Sequence, residues 1–219
     1  MQQADLIIKN GQLVTPSGIH SGEVVCKDGK IVALNARDWH AEQVIDAQGL
    51  HVLPGVIDSQ VHFREPGLEH KETLEAGTRG AVLGGVTGIF EMPNTNPLTL
   101  DENDLNDKLQ RMEGRAWCNY AFYMGGSAQN LNSLAELETL PGCSGVKVFM
   151  GSSFGSLLAD EDELLEKILH AGKRRMAVHA EDEQRLRERR DTVCQSGNVE
   201  DHPNWRDVES ALNATRRIL

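Results

Sequence analysis

Residues 52–92 decide the fold, and they read VLPGVIDSQVHFREPGLEHKETLEAGTRGAVLGGVTGIFEM. A short apolar run at 53–58 is followed by polar residues, then by a segment with helical spacing, and then by a second apolar run at 86–92. Apolar residues three and four positions apart favour a helix, and short apolar runs bounded by Gly or Pro favour buried strands. The stretch therefore predicts a strand, a helix and a parallel strand, because parallel neighbours need a long crossover connection.

The same alternation continues to the end of the sequence. Apolar runs at 53–58, 86–92, 117–124, 145–150 and 175–180 are separated by segments with helical spacing, which predicts a parallel α/β sheet. Residues 1–52 differ, because their alternating segments are bounded by Gly, Asn, Pro or Asp and predict strands about five residues long. We therefore expect a small β domain at 1–52 and an α/β domain at 53–219.

Composition excludes several classes of protein. The 219 residues carry a net charge of −11, which argues against nucleic acid or an anionic membrane as the main partner. The N-terminus has no secretory pattern, and no apolar run approaches the roughly 20 residues that span a bilayer. Basic residues at 173–175 and 185–190 are interleaved with Glu181, Glu183 and Glu188, and mixed charge signs at helical spacing favour a solvated face with ion pairs. We expect a cytoplasmic protein with a small-molecule substrate, and a homodimer stays open.

Polar residues stand at the ends of the predicted strands. His62 follows the first strand, Asn94 follows the second, Lys147 lies in the fourth and His179 ends the fifth. In a parallel α/β barrel the active site is built at the carboxyl ends of several strands. The sequence therefore predicts that these four side chains converge on one face.

Each of these residues also has a plainer interpretation. His62 could be an ordinary hydrogen-bonded histidine, and His179 could be structural instead of a metal ligand. Lys147 is flanked by valines, so it either extends its ammonium to water or takes part in chemistry, because a buried unpaired ammonium is costly.

Arg64 lies two residues after His62, and its guanidinium suits bidentate recognition of a substrate carboxylate. The alternative is an ion pair with Glu65 or Glu69 in the same segment. The sequence alone does not decide between these two partners.

Three segments together resemble the dihydroorotases of the amidohydrolase superfamily: residues 58–97, SGVKVFMGSS at 144–153 and VHAED at 178–182. The resemblance implies an α/β fold, a metal-dependent (β/α)8 barrel of amidohydrolase type flanked by a small β-sandwich. About five of the eight barrel strands would lie in this sequence. It also implies the interconversion of dihydroorotate and N-carbamoyl-L-aspartate in pyrimidine biosynthesis.

The resemblance assigns roles to individual residues. His62, a carboxylated Lys147 and His179 would bind one or two Zn²⁺ ions. Arg64 and Asn94 would hold the substrate carboxylate. The general-base Asp of the family is expected beyond Leu219, so we expect the 219-residue segment alone to be inactive.

One position departs from the family pattern, because Gln60 stands where the first metal-binding histidine is expected. An amide oxygen is a poorer zinc ligand than imidazole, which implies a mononuclear site or a catalytically silent subunit that supports a partner enzyme. A third alternative is a cyclic amidase of the hydantoinase or allantoinase type. Arg64 favours dihydroorotate, since the substrates of those relatives lack its carboxylate.

Overall fold

The structure is a computed structural model that describes residues 2–153 and 155–219. The chain divides into two compact units, Met1–Gly55 and Val56–Leu219. The domain boundary expected from the sequence, between residues 52 and 53, lies just before this division.

The first unit is a single five-stranded sheet. Its strands are β1 (Gln2–Thr15), β2 (Gly18–Lys27), β3 (Lys30–Leu34), β4 (Trp39–Asp46) and β5 (His51–Val52). They are arranged in the order β3-β2-β1-β4, with β5 also paired to β1. The expectation of strands of about five residues is wrong for β1, which has 14 residues. Asn10 has a φ of 57°, and the register of the β1–β2 pairing shifts between Ile8 and Gly11. The Asn-Gly pair therefore forms a β-bulge within β1 instead of a turn that would end the strand.

The second unit contains the parallel sheet. Its strands are β6 (Val56–Val61), β7 (Val86–Glu91), β8 (Asn119–Gly125), β9 (Cys143–Phe149) and β10 (Met176–His179). Its helices are α1 (Leu74–Leu83), α2 (Glu102–Met112), α3 (Leu134–Leu137), α4 (Asp162–Ala171), α5 (Glu183–Val193), α6 (His202–Trp205) and α7 (Val208–Ile218). The strands pair in chain order, all of them parallel. This confirms the predicted fold class, with five strands in the arrangement of a (β/α)8 barrel.

The first barrel strand lies later in the sequence than expected. It was predicted at 53–58 and occupies Val56–Val61. Pro54 has no N–H to donate to a neighbouring strand, and pairing begins where Val56 N donates to Gly85 O at 3.1 Å. As a result Gln60 lies inside β6, and His62 follows the strand directly.

Helix caps and close packing fix the connections to the sheet. Thr73 caps α1, Asp101 forms a capping box with Asp104 at α2, and Asp207 caps α7. On α1, a Cβ at Gly77 would lie 2.4 Å from a ring carbon of Phe63, so only glycine allows this approach. Buried side chains from strands and helices form one core, which includes Ile89, Phe122, Met124, Val146, Val148, Leu74, Leu105, Leu165 and Ala214.

The sheet has two edges, β6 and β10. At the β6 edge, Val56 and Ile57 are 55% and 63% exposed. Within residues 2–153 and 155–219, no helix combines the length and apolar character needed to cross a membrane.

Candidate active site

The strands bring the predicted residues to one end of the sheet. His62 directly follows β6, Asn94 comes three residues after β7, and His179 is the last residue of β10. Lys147 lies near the end of β9, and its register partner is Ala177 of β10. Because all the strands are parallel, these positions share the carboxyl face of the sheet.

His62 is oriented by Asn94. The His62 Nδ1 and the Asn94 Oδ1 are 2.8 Å apart, so Nδ1 donates its proton and the lone pair lies on Nε2. Burial lowers the pKa of His62, and the positive charges of Arg64, Lys147 and His179 lower it further, against the opposing effect of Asn94. The imidazole is therefore held neutral, which is the form that binds metal ions.

Lys147 is buried, and residues 2–153 and 155–219 provide no counter-ion for it. Its side chain is 1% exposed, which rules out the interpretation in which the ammonium extends to water. Among the described residues its Nζ has no hydrogen bond or ion pair, and it lies 5.1 Å from the centroid of the Phe149 ring. Burial lowers the pKa of Lys147 to about 8. A sizeable fraction of this amine is therefore neutral and nucleophilic near physiological pH.

His179 is held by a carboxylate. Its Nε2 lies 2.5 Å from Glu181 Oε2, and its ring stacks on Phe149 with centroids 6.0 Å apart. Burial would raise the pKa of Glu181, but hydrogen bonds from Arg206 and His179 lower it overall. The ionised carboxylate accepts the Nε2 proton, so the lone pair of His179 lies on Nδ1.

Arg64 does not form the ion pairs that the sequence left open. Glu65 accepts hydrogen bonds from Arg115 Nη1 and Leu74 N, both at 2.9 Å, and Glu69 lies 3.9 Å from Arg111. Within the described parts of the chain, the Arg64 guanidinium has no hydrogen bond or ion pair. The charge of Arg64 acts on Glu91, but a half-buried guanidinium with no hydrogen bond among the described residues is suited to an external anion.

Gln60 is exposed, and its backbone N–H donates to Asp58 Oδ1 at 3.0 Å.

No group of three or more His, Cys, Asp and Glu side chains in residues 2–153 and 155–219 is arranged to hold a metal ion. His62 and His179 supply two imidazole donors, and Lys147 would supply an anionic third only as a carbamate. The residues fit one divalent ion on that condition, since an ammonium at this position would repel a cation.

Sequence reasoning missed a buried ion pair beside this site. Glu91, the last residue of β7, lies 2.5 Å from Lys108 Nζ of α2, and both side chains are 1% exposed. Lys108 also donates to Met92 O at 3.0 Å. A signal was present, because Lys108 shares the buried face of α2 with Leu105 and Met112 at spacings of three and four residues.

Comparison with known proteins adds independent information. A family model described as "Dihydro-orotase-like" matches residues 49–146. An allantoinase of Deinococcus radiodurans is 33% identical over 223 residues, covering 98% of this chain and 50% of that protein. An allantoinase of Desulfitobacterium hafniense (strain Y51) is 38% identical over 151 residues, covering 68% of this chain and 33% of that protein. The L-hydantoinase (dihydropyrimidinase) structure from Arthrobacter aurescens superposes with a TM-score of 0.88 at 30% identity, covering 98% of this chain and 49% of that one.

The chain spans at most about half the length of these relatives. Two of them are named allantoinases and one a hydantoinase, so they match the cyclic amidase alternative more closely than dihydroorotase. The fold and the matches together show that this chain is similar to a dihydro-orotase-like domain and to proteins named allantoinase and hydantoinase.

Proposed function

We propose that the protein is a metal-dependent hydrolase that opens the ring of a cyclic amide, with allantoin or hydantoin compounds as its first substrate class. The main supporting observation is Lys147, which is 1% exposed, has no hydrogen bond or ion pair among the described residues, and shares the carboxyl face of the sheet with His62 and His179. The names of the relatives support the substrate class.

The proposed roles follow from the chemistry of each side chain. The neutral Lys147 amine can attack carbon dioxide and release a proton to solvent, and the carbamate anion that forms replaces a buried cation with an oxygen ligand. His62 Nε2 and His179 Nδ1 then complete a site for one ion, for which we propose Zn²⁺. A bound Zn²⁺ would supply Lewis-acid polarisation of the ring carbonyl and a lowered pKa for water.

Dihydroorotate is a second candidate substrate, favoured by the free guanidinium of Arg64. Arg64 could bind the ring carboxylate in a bidentate manner and so orient the scissile amide. Asn94 is less suited to that role, since its Oδ1 accepts from His62.

The substrate class is tested with the full-length protein, loaded with Zn²⁺ and bicarbonate, on allantoin, hydantoin and dihydroorotate. We expect the ring of allantoin or hydantoin to open fastest, and a chelator to abolish the turnover. Faster turnover of dihydroorotate would favour the second candidate. Bound metal without any turnover would support the catalytically silent subunit.

Arg64 makes a separate prediction about selectivity. If it binds a substrate carboxylate, Arg64→Gln should lower kcat/KM for dihydroorotate by about 10- to 100-fold, because hydrogen bonds to charged groups contribute roughly 1.5–3 kcal/mol. Uncharged hydantoin should be affected little. The exposed Arg79 provides the control variant, Arg79→Gln. Equal losses for both substrates would remove the carboxylate role from Arg64.

A further inference from the structure

We propose that Arg206 is a positioning residue that acts through Glu181 to present His179 Nδ1 as a metal donor. This inference rests on the proposed function, because it assigns a partner to one of the three proposed ligands. Arg206 lies between α6 and α7, far along the sequence from His179.

Glu181 joins the two residues directly. Arg206 Nε donates to Glu181 Oε1 at 2.8 Å, and Arg206 Nη2 donates to Oε2. The same Oε2 accepts from His179 Nε2 at 2.5 Å. A bidentate guanidinium fixes both oxygens of a carboxylate, so the direction of the bond to the imidazole is fixed as well.

The segment that carries Arg206 is itself anchored. The guanidinium lies 5.7 Å from the Trp205 ring centroid, and Trp205 Nε1 donates to Leu186 O at 2.8 Å. The next residue, Asp207, accepts from Arg185 at 2.9 and 2.6 Å. The residues on both sides of Arg206 are therefore anchored to α5. Besides Glu181, the charge of Glu183 also acts on the Arg206 guanidinium.

This arrangement selects one form of His179. A carboxylate at Nε2 requires the proton there, which leaves the Nδ1 lone pair for an ion. Stacking on Phe149 fixes the plane of the ring. Without Arg206, Glu181 could rotate away, and both tautomers of the imidazole would become accessible.

The test compares Arg206→Met and Arg206→Lys in the full-length protein. Zn²⁺ affinity is measured by competition with a chromophoric chelator, and the His179 tautomer by ¹⁵N NMR of the metal-free protein, assigned through its loss in His179→Gln. We expect Arg206→Met to weaken Zn²⁺ binding by about 10- to 100-fold and to mix the tautomers. Arg206→Lys should recover part of both, because an ammonium can still bind one carboxylate oxygen.

The control variant is Arg189→Met. Arg189 lies 3.4 Å from Asp207 and donates to Asn204 O, so it anchors the same segment without contacting Glu181. We expect Arg189→Met to keep the wild-type tautomer and Zn²⁺ affinity. Wild-type binding and a single tautomer in Arg206→Met, or equal losses in Arg189→Met, would overturn the positioning role. A wild-type protein that binds no Zn²⁺ would overturn the proposed function, and the tautomer would still report whether Arg206 fixes the ring.

Discussion

Replacing Lys108 with methionine is expected to lower the free energy of unfolding by about 3–5 kcal/mol, because it leaves the Glu91 carboxylate buried without its partner. Both side chains are 1% exposed, so water cannot replace the lost ammonium. Burial already raises the pKa of Glu91 in spite of Lys108, and removal of Lys108 would raise it further. Urea unfolding at neutral pH measures the loss.

Two further variants separate the effect of the unpaired Glu91 charge from a loss of packing and from the effect of removing an exposed ion pair on another helix. The double variant Glu91→Gln with Lys108→Met removes both charges, and we expect it to recover most of the lost stability. Lys167→Met removes an exposed ion pair with Glu163 and should change stability by less than about 1 kcal/mol. A double variant no more stable than Lys108→Met would show that the loss comes from packing and not from the unpaired charge.

Lys147→Met, unlike Lys108→Met, is expected to raise the free energy of unfolding. It should also abolish metal binding. The pKa of Lys147 is lowered from 10.5 to about 8, so folding releases a proton between these two pH values. The stability of the metal-free wild type should therefore rise as the pH rises from about 8 to 10.5. The free-energy cost of burying the charged Lys147 ammonium is fully present below about pH 8. It amounts to about 3 kcal/mol at most, at 1.36 kcal/mol per pKa unit.

The measurement is urea unfolding of metal-free protein in carbon-dioxide-free buffer from pH 7.5 to 10, together with Zn²⁺ content by elemental analysis. The Lys147→Met variant should lack the pH-dependent gain and bind no Zn²⁺. Lys71→Met, at an exposed position, should behave as the wild type in both respects. A flat wild-type profile would contradict the buried ammonium, and Zn²⁺ retained by Lys147→Met would contradict its role as a ligand.

The order of the elements could be predicted because the strands of the second unit are short apolar runs with clear boundaries. The predicted ends of β7, β9 and β10 fall within two residues of the observed ones. Helix α5 was harder to recognise, because Leu186 is its one buried residue among those described and apolar periodicity is absent. The expected ion pairs on this segment are present, for example Arg187 with Glu183 at 2.9 Å.

The candidate site could be predicted where function depends on position in a strand. His62, Lys147 and His179 stand at strand ends, and the parallel topology brings such ends together. Lys108 and Arg206 could not be assigned to their partners, because they lie 17 and 25 residues away from Glu91 and Glu181. Pairing at that distance depends on how helices pack on the sheet, which local patterns do not encode.

The location of the proposed ligands at opposite edges of the sheet has a mechanical consequence. His62 follows β6 at one edge, while His179 ends β10 at the other edge, next to the strand of Lys147. An ion bound by all three would link β6 directly to β9 and β10, although β7 and β8 lie between them in the strand order. Zn²⁺ would then contribute to folding as well as to chemistry, because all three ligands are in place only when these strands are folded together.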